Sequence, residues 1–345
     1  MGKYDIIYGN HCTKVSYYCA RFSGTPKSPL LSIAALLALC HLLMAVIELN
    51  SVEGSTREKP GHQLRQDIDE VIRSIKEDTI DTLPFEKKDL LPAFHRYTEK
   101  FEVSKKYKLS ICSIPKVMST FGTSLICFLK NPSKFKAFGR KISTEKWATS
   151  LCSKRYVHSN YTLSERELGS IRIAFIREPI DRFLSGFVNK CILKTSHETD
   201  SCYGCGSNLS CFVEEFRKQL WDVYNKNDPS YRFLITNTLA PQSWYCDFKE
   251  HIHDYAYVRY GNHSNGGLEM VSQLHDVLKH AGIPPNLLTE IVQSMLDGRS
   301  HHSTFFTDYR RMAAKELYSN HTLLKMVTEL YYYDFLLFDY PIPNI

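Results

Sequence analysis

Glycine is scarce in this chain, at 16 of 345 residues, and none of it forms the G-x-x-x-x-G-K-[ST] loop that cradles a nucleoside triphosphate. That absence argues against a P-loop kinase or ATPase. A Walker-type acidic partner for Mg²⁺ does not stand out either. A strong excess of one charge is also missing: 43 Lys and Arg against 37 Asp and Glu leave a net +6, too little for a general nucleic-acid binder. No internal repeat is present. What remains is ordinary globular composition, 43% hydrophobic and 23% charged, and not that of a disordered or fibrous chain. The length allows one large domain or two medium ones.

One long apolar run breaks that plainness. Leu30 to Ile47, LLSIAALLALCHLLMAVI, is 18 residues without a charge, close to the roughly 20 needed to cross a bilayer. A buried core helix and a cleaved signal peptide are the alternatives. The run exceeds the usual signal-peptide core and starts late. Lys3, Lys14, Arg21 and Lys27 precede it against Asp5 alone, and Glu48 and Glu53 follow. The positive-inside rule then predicts a cytoplasmic tail (1–29), a signal anchor (30–47) and a luminal remainder. Four N-x-[ST] sequons, at Asn160, Asn208, Asn262 and Asn320, and eight of the 11 cysteines all lie beyond the run. In an oxidising lumen the eight suit disulfides, with the pairing open. Cys191, Cys202, Cys205 and Cys211 are crowded enough to mimic a zinc site, the less favoured reading.

Residues 48–105 are polar and charged, and LRQDIDEVIRSIKEDTI has a helical period, which predicts a stem with one amphipathic helix. The body is expected over 106–345. Its strand-like runs are YKLSICSI, IRIAFI (171–176) and YAYVRY (255–260), separated by helical patterns at 120–130, 180–190, 210–225, 268–281 and 285–297. Strands alternating with helices predict a single α/β domain with a mainly parallel central sheet flanked by helices. Ligands in such sheets sit beyond the carboxyl ends of the strands. Two loops, PKVMST (115–120) and REPIDR (177–182), directly follow strand-like runs.

In FIREPIDRFLSGFVNK, Pro179 suits a first helical turn. Ile180, Phe183, Leu184, Phe187 and Val188 form one apolar face, with Asp181, Arg182, Ser185 and Asn189 on the other side. Arg177 can offer a planar two-pronged donor to a phosphate. On spacing alone, a surface ion pair of Arg177 or Arg182 with Glu178 or Asp181 explains the pattern as well. REPIDRFLSGF, however, closely resembles the 3′-phosphate motif R-[DE]-P-x-x-R-x-x-S-x-[FY] of Golgi membrane-bound carbohydrate sulfotransferases, the group acting on chondroitin, dermatan and HNK-1-type glycans. IPKVMST resembles that family's 5′-phosphosulfate loop, P-K-V-G-S-T, with Met118 in place of its glycine. LAPQSWYC (239–246) and LYYYDFLLFDY are weaker echoes of its later segments, so the resemblance spans about 106–340.

The resemblance implies a P-loop-like sulfotransferase fold, 3′-phosphoadenosine 5′-phosphosulfate as donor and no metal. Pro115, Lys116, Val117, Met118, Ser119 and Thr120 would hold the 5′-phosphosulfate, with backbone N–H groups at 117–120 as an anion nest. Lys116 would neutralise the departing bridging oxygen. Arg177 and Ser185 would bind the 3′-phosphate. A glycan hydroxyl as acceptor needs a general base, and related uronyl enzymes place a histidine upstream of the 3′ motif. His158, 19 residues before Arg177, occupies the comparable place; an exposed histidine beside a sequon is the alternative. His301, His302 and Glu165 are fallbacks. KNPSKFKAFGRK (130–141) carries Lys130, Lys134, Lys136, Arg140 and Lys141 with no acid, interleaved with Phe135 and Phe138. It is either a groove for an anionic glycan or a solvated basic face. The expectation is a type II Golgi enzyme sulfating a chondroitin-like or related glycan. A non-catalytic glycan-binding relative is the rival from another class.

Overall fold

The connection between the first two strands sets the character of the sheet. Strand β1 (Phe101–Ser104) turns through Lys105–Tyr107, with Lys108 in the left-handed region at φ 47°, straight into β2 (Leu109–Cys112). So short a link permits only antiparallel pairing. Strand β3 (Val157–His158) pairs antiparallel on the other side of β1, whereas β4 (Ile171–Ile176) and β5 (Tyr255–Arg259) add to β2 in parallel. The order is β3-β1-β2-β4-β5. The sheet is therefore mixed, not mainly parallel as the alternation of elements predicted. Only the connections that contain helices give parallel neighbours.

The structure, a computed structural model, describes residues 60–97, 99–145, 151–152, 157–158, 171–193, 202–226, 234–261, 264–297 and 307–345. The expected tail and anchor, Asn160, Glu165, Asn262, His301 and His302 lie outside the described residues. Among the described residues no helix is long and apolar enough to cross a membrane.

The helices are α1 (Ile68–Lys76), α2 (Ser119–Lys130), α3 (Pro132–Ala137), α4 (Pro179–Phe187), α5 (Leu209–Lys226), α6 (Leu234–Leu239), α7 (Ser264–His280), α8 (Pro285–Asp297), α9 (Asp308–Ser319) and α10 (His321–Leu337). Helix α2 packs on β1 and α7 on β5, while α10 lies against α4, α5 and α1. Strand β2 is buried along its whole length and β4 over Ile173–Ile176, as expected when both faces of a sheet are covered.

The predicted stem does not extend to residue 105. The described residues from Pro60 onward belong to the same compact unit as the sheet. Ile68 and Ile72 bury the apolar face of α1, and Leu90 and Leu91 are 1% and 2% exposed. The Trp244 indole donates to the Pro92 carbonyl at 2.8 Å, and His62 N–H to the Tyr257 carbonyl at 2.7 Å. The segment reads as stem because its buried positions are sparse and its strand is polar. Within β1, Glu102 is buried and accepts from the Thr123 hydroxyl at 3.0 Å.

All eight cysteines beyond the apolar run are paired: Cys112–Cys246, Cys127–Cys152, Cys191–Cys202 and Cys205–Cys211. The crowded four are two disulfides, and no metal-ligating cluster occurs among the described residues.

Candidate active site

The loop after β2 turns on two residues with positive φ, Lys116 at 65° and Met118 at 57°. Met118 is the N-cap of α2 in the left-handed conformation. The position where the resembled loop carries glycine thus needs glycine-like geometry, and Met118 adopts it at a cost of about 1–2 kcal/mol. Alternating left-handed residues turn successive N–H groups to one side, making an anion-binding concavity. The first α2 hydrogen bond runs from Gly122 N–H to the Met118 carbonyl at 2.8 Å. The N–H groups of 118–121 therefore have no intrahelical acceptor. Val117 N–H is already committed to the Ile114 carbonyl at 3.3 Å. The N–H groups without an intrahelical partner are 118–121, whereas the sequence pointed to 117–120.

The REPIDR loop is built against this one. Glu178 caps α4 by accepting from Ile180 and Asp181 N–H, and Pro179 fills the first turn, where a missing N–H costs nothing. Arg177 then leaves β4 pointing across to the loop after β2. Its Nη1 donates to the Lys116 carbonyl at 2.9 Å and its Nε to Asp181 Oδ2 at 2.6 Å, and its guanidinium lies 4.4 Å from the Tyr260 ring centre. The ion pair anticipated for Arg177 and Asp181 is real but buried, and it orients the arginine.

Arg182, placed by periodicity on a polar face, is 0% exposed. It donates to the carbonyls of Pro115 (3.0 Å), Thr238 (3.0 Å) and Ala240 (2.8 Å). It is a positioning residue that ties the first loop to the end of α6. Ser185, two turns along α4, is buried on the same helix. Gly186 allows α6 close, since a Cβ there would meet Leu239 Cδ2 at 2.2 Å.

The echoes further along the chain support the same place. Gln242 exchanges two hydrogen bonds with the backbone of Arg177, at 2.9 and 2.8 Å. Asp334 of YYYDF accepts from the N–H groups of Gln242 and Ser243. Cys246 is bonded to Cys112 at the end of β2. Sequence reasoning gave Gln242 and Asp334 no role; their signal was the segment-level likeness, which names no partners.

Electrostatically the site gathers cations. Burial pushes the Lys116 ammonium down to about 7, helped by the nearby Arg177, Lys190 and Arg182. Lys190 comes from the π-helical turn Val188–Ile192 that continues α4. Burial alone would push the Asp181 carboxyl up, but Arg177 and Arg310 hold it below the usual range. Such clustered cations favour a multiply charged anionic ligand.

His158 ends β3. Its backbone is in register with Phe101, which pairs with Cys112, the last residue of β2. That row places it at the sheet end from which the phosphate loop departs, two strands away, roughly 10 Å. The basic stretch fares differently. Phe135 is 1% exposed against Phe128 and lines no groove. Lys136 pairs with Glu290 and Arg140 with Glu145. Phe138, 59% exposed, and the exposed Lys130, Lys134 and Lys141 remain at the surface.

A loop with two left-handed residues is thus clasped by an R-E-P-x-x-R helix. The model of the Sulfotransferase family matches residues 99–341. The chain belongs to the sulfotransferase family. It is similar to Carbohydrate sulfotransferase chst-1 of Caenorhabditis elegans, 31% identical over 263 residues that cover 73% of this chain and 79% of the relative. It is also similar to the uncharacterized protein C18B2.2 of Caenorhabditis elegans, 29% identical over 269 residues, 73% of this chain and 72% of the relative. No solved structure matches. The matched region covers both loops, Gln242 and Asp334, and begins just before β1, so this sulfotransferase carries its whole described sheet within the family region.

Proposed function

We propose that this sulfotransferase moves a sulfuryl group from 3′-phosphoadenosine 5′-phosphosulfate to a hydroxyl of a glycan, of the anionic chondroitin-like or a related kind. The observation that carries the reading is the clasp of Arg177 on the Lys116 carbonyl. It joins a nest for one phosphate to an arginine with N–H groups left for a second. A nucleoside bisphosphate has both groups; a triphosphate has no use for the separate arginine.

In this reading the N–H groups of 118–121, with Ser119 and Thr120, hold the 5′-phosphate, and Pro115 and Val117 shape the turn. Lys116, which takes up a proton from solvent as the anion arrives, neutralises the bridging oxygen as the S–O bond breaks. Arg177 and Ser185 hold the 3′-phosphate. The residues fit such a donor on the chemistry of the set, cations gathered around a turn whose N–H groups lack intrahelical partners. His158 takes the proton of the attacking hydroxyl. The carbohydrate acceptor is supported by the name of the relative chst-1. Lys130, Lys134, Lys141 and Phe138 flank the α2–α3 corner as a surface for the glycan chain. Anchoring by 30–47 as a type II Golgi membrane protein is the compartment in which this donor, the sequons and the disulfides belong together.

The test is a thermal-stability titration with 3′-phosphoadenosine 5′-phosphate, with ATP and Arg177→Ala as controls. At 100 times its dissociation constant the ligand adds about 2.7 kcal/mol. A shift abolished by the variant and absent with ATP supports the donor. No shift in folded protein refutes it. For His158→Ala, turnover on a glycan acceptor should fall about 10²–10⁴-fold with nucleotide binding intact.

A further inference from the structure

Arg310 has no place in the reaction as described, yet it is built into the site. It lies in the first turn of α9, a helix that no sequence motif marked, where Thr307 caps the helix by accepting from Arg310 N–H. The side chain is 9% exposed as a residue and donates from Nη2 to Asp181 Oδ1 at 2.7 Å. The other oxygen of Asp181 takes Arg177 Nε. One carboxylate thus joins two guanidinium groups and leaves the trio with one positive charge in excess. Glu178, the neighbouring acid, also faces Arg177, but burial pushes its carboxyl up, toward the neutral form, while it caps α4.

Excess buried charge is costly unless a counter-ion arrives. Both arginines also hold unspent donors. Arg310 Nε is fully buried with no acceptor among the described residues. Arg177 uses Nε and one Nη1 hydrogen on the protein, which leaves three of its five N–H groups. A salt bridge serving only to staple α9 to α4 would need neither the second arginine's surplus charge nor its orphaned donor.

We propose that Arg310 is a specificity-determining positioning residue: through Asp181 it sets the orientation of Arg177, and its charge makes the site select nucleotides that carry a 3′-phosphate. The inference rests on the assignment of Arg177 to that phosphate. A dianionic group beside Arg177 neutralises the excess charge, whereas a nucleotide without it leaves the trio unbalanced.

The experiment compares 3′-phosphoadenosine 5′-phosphate with AMP, which lacks the 3′-phosphate, by isothermal titration of the full-length protein. For Arg310→Ala the affinity for the first should fall about tenfold or more, as expected for loss of support to a charged hydrogen bond, while AMP stays within about twofold. Arg310→Lys should fall between, keeping the charge and losing the planar fork. If Arg310→Ala does not fold, Arg310→Gln is read by the same ratio. An unchanged ratio of the two affinities in the Arg310 variant, with the ratio collapsed in Arg177→Ala, overturns the inference and leaves the donor reading standing. An unchanged ratio in Arg177→Ala as well removes the 3′-phosphate assignment and the inference with it.

Discussion

Lys116 is the residue on which chemistry and stability meet. Its ammonium titrates near 7 in the free protein, against 10.5 for an ordinary lysine. Between those values the unfolded chain holds a proton that the folded one lacks. This group's contribution to stability therefore improves as pH rises through that window, and it penalises the fold most below about 7. An arriving phosphosulfate reverses the preference. At pH 8, titration with 3′-phosphoadenosine 5′-phosphate in buffers of different ionisation enthalpy should report uptake of up to one proton, absent in Lys116→Met. Equal uptake in the variant would place the proton elsewhere. Turnover in that variant should fall about 10²–10³-fold, the scale for losing one group that stabilises developing charge. Met118 supplies a second test at this scale. Because it already sits at φ 57°, Met118→Gly should bind nucleotide within about twofold of the parent. Met118→Ile places a β-branched residue where such residues are outliers, and its affinity should drop at least tenfold. Similar binding by both variants would mean the left-handed turn is dispensable.

Among the elements, the α4 segment shows how a helix carries a site. Its apolar face was readable: Ile180, Phe183, Leu184 and Phe187 are all buried. Its opposite side was not, because periodicity assigns a polar residue to water unless another element covers it. Here α6 and the 238–240 carbonyls cover Arg182. Removing that side chain strands several buried carbonyls and opens a large void. Arg182→Ala should therefore lose about 3–5 kcal/mol in chemical denaturation, with nucleotide binding weakened because the Pro115 turn is released. A loss below about 1 kcal/mol would mean that water replaces the guanidinium. The turn into α2 was legible from PKVMST, but its open N–H groups begin one residue later because Val117 N–H closes the turn itself. The Lys and Phe content of 130–141 was legible too. Which face Phe135 takes was decided by Phe128, seven positions earlier, which α2 and α3 bring into an edge contact.

At the scale of the whole molecule, the two halves of the site are held together by links that span the chain. Asp334 holds Gln242, Gln242 holds Arg177, and Cys112 is joined to Cys246 across 134 residues. A cross-link closing so long a loop is worth up to about 5 kcal/mol in the chain-entropy account. Cys112→Ala with Cys246→Ala should lower the unfolding free energy by about 2–5 kcal/mol. Cys205→Ala with Cys211→Ala, which opens a span of only 6 residues, should cost less. The reverse order would show that local packing outweighs loop closure. The mixed sheet belongs to this scale as well: the stem-like stretch before residue 106 contributes β1, because Phe101 and Val103 pack into a core made by residues far along the chain.

The sequence alone is enough to place the two loops that follow β2 and β4, the strands that deliver them, most of the helices and the oxidised state expected of the cysteines. Each of these is a local property: a turn needs particular φ values, a helix a period, a phosphate a particular donor. It could not determine that Arg182 faces carbonyls, that Asp181 stands between Arg177 and Arg310, that β1 completes the sheet, or which cysteines meet. Those depend on groups tens to hundreds of residues apart, and only burial in a shared core selects one arrangement from the many that a local pattern allows.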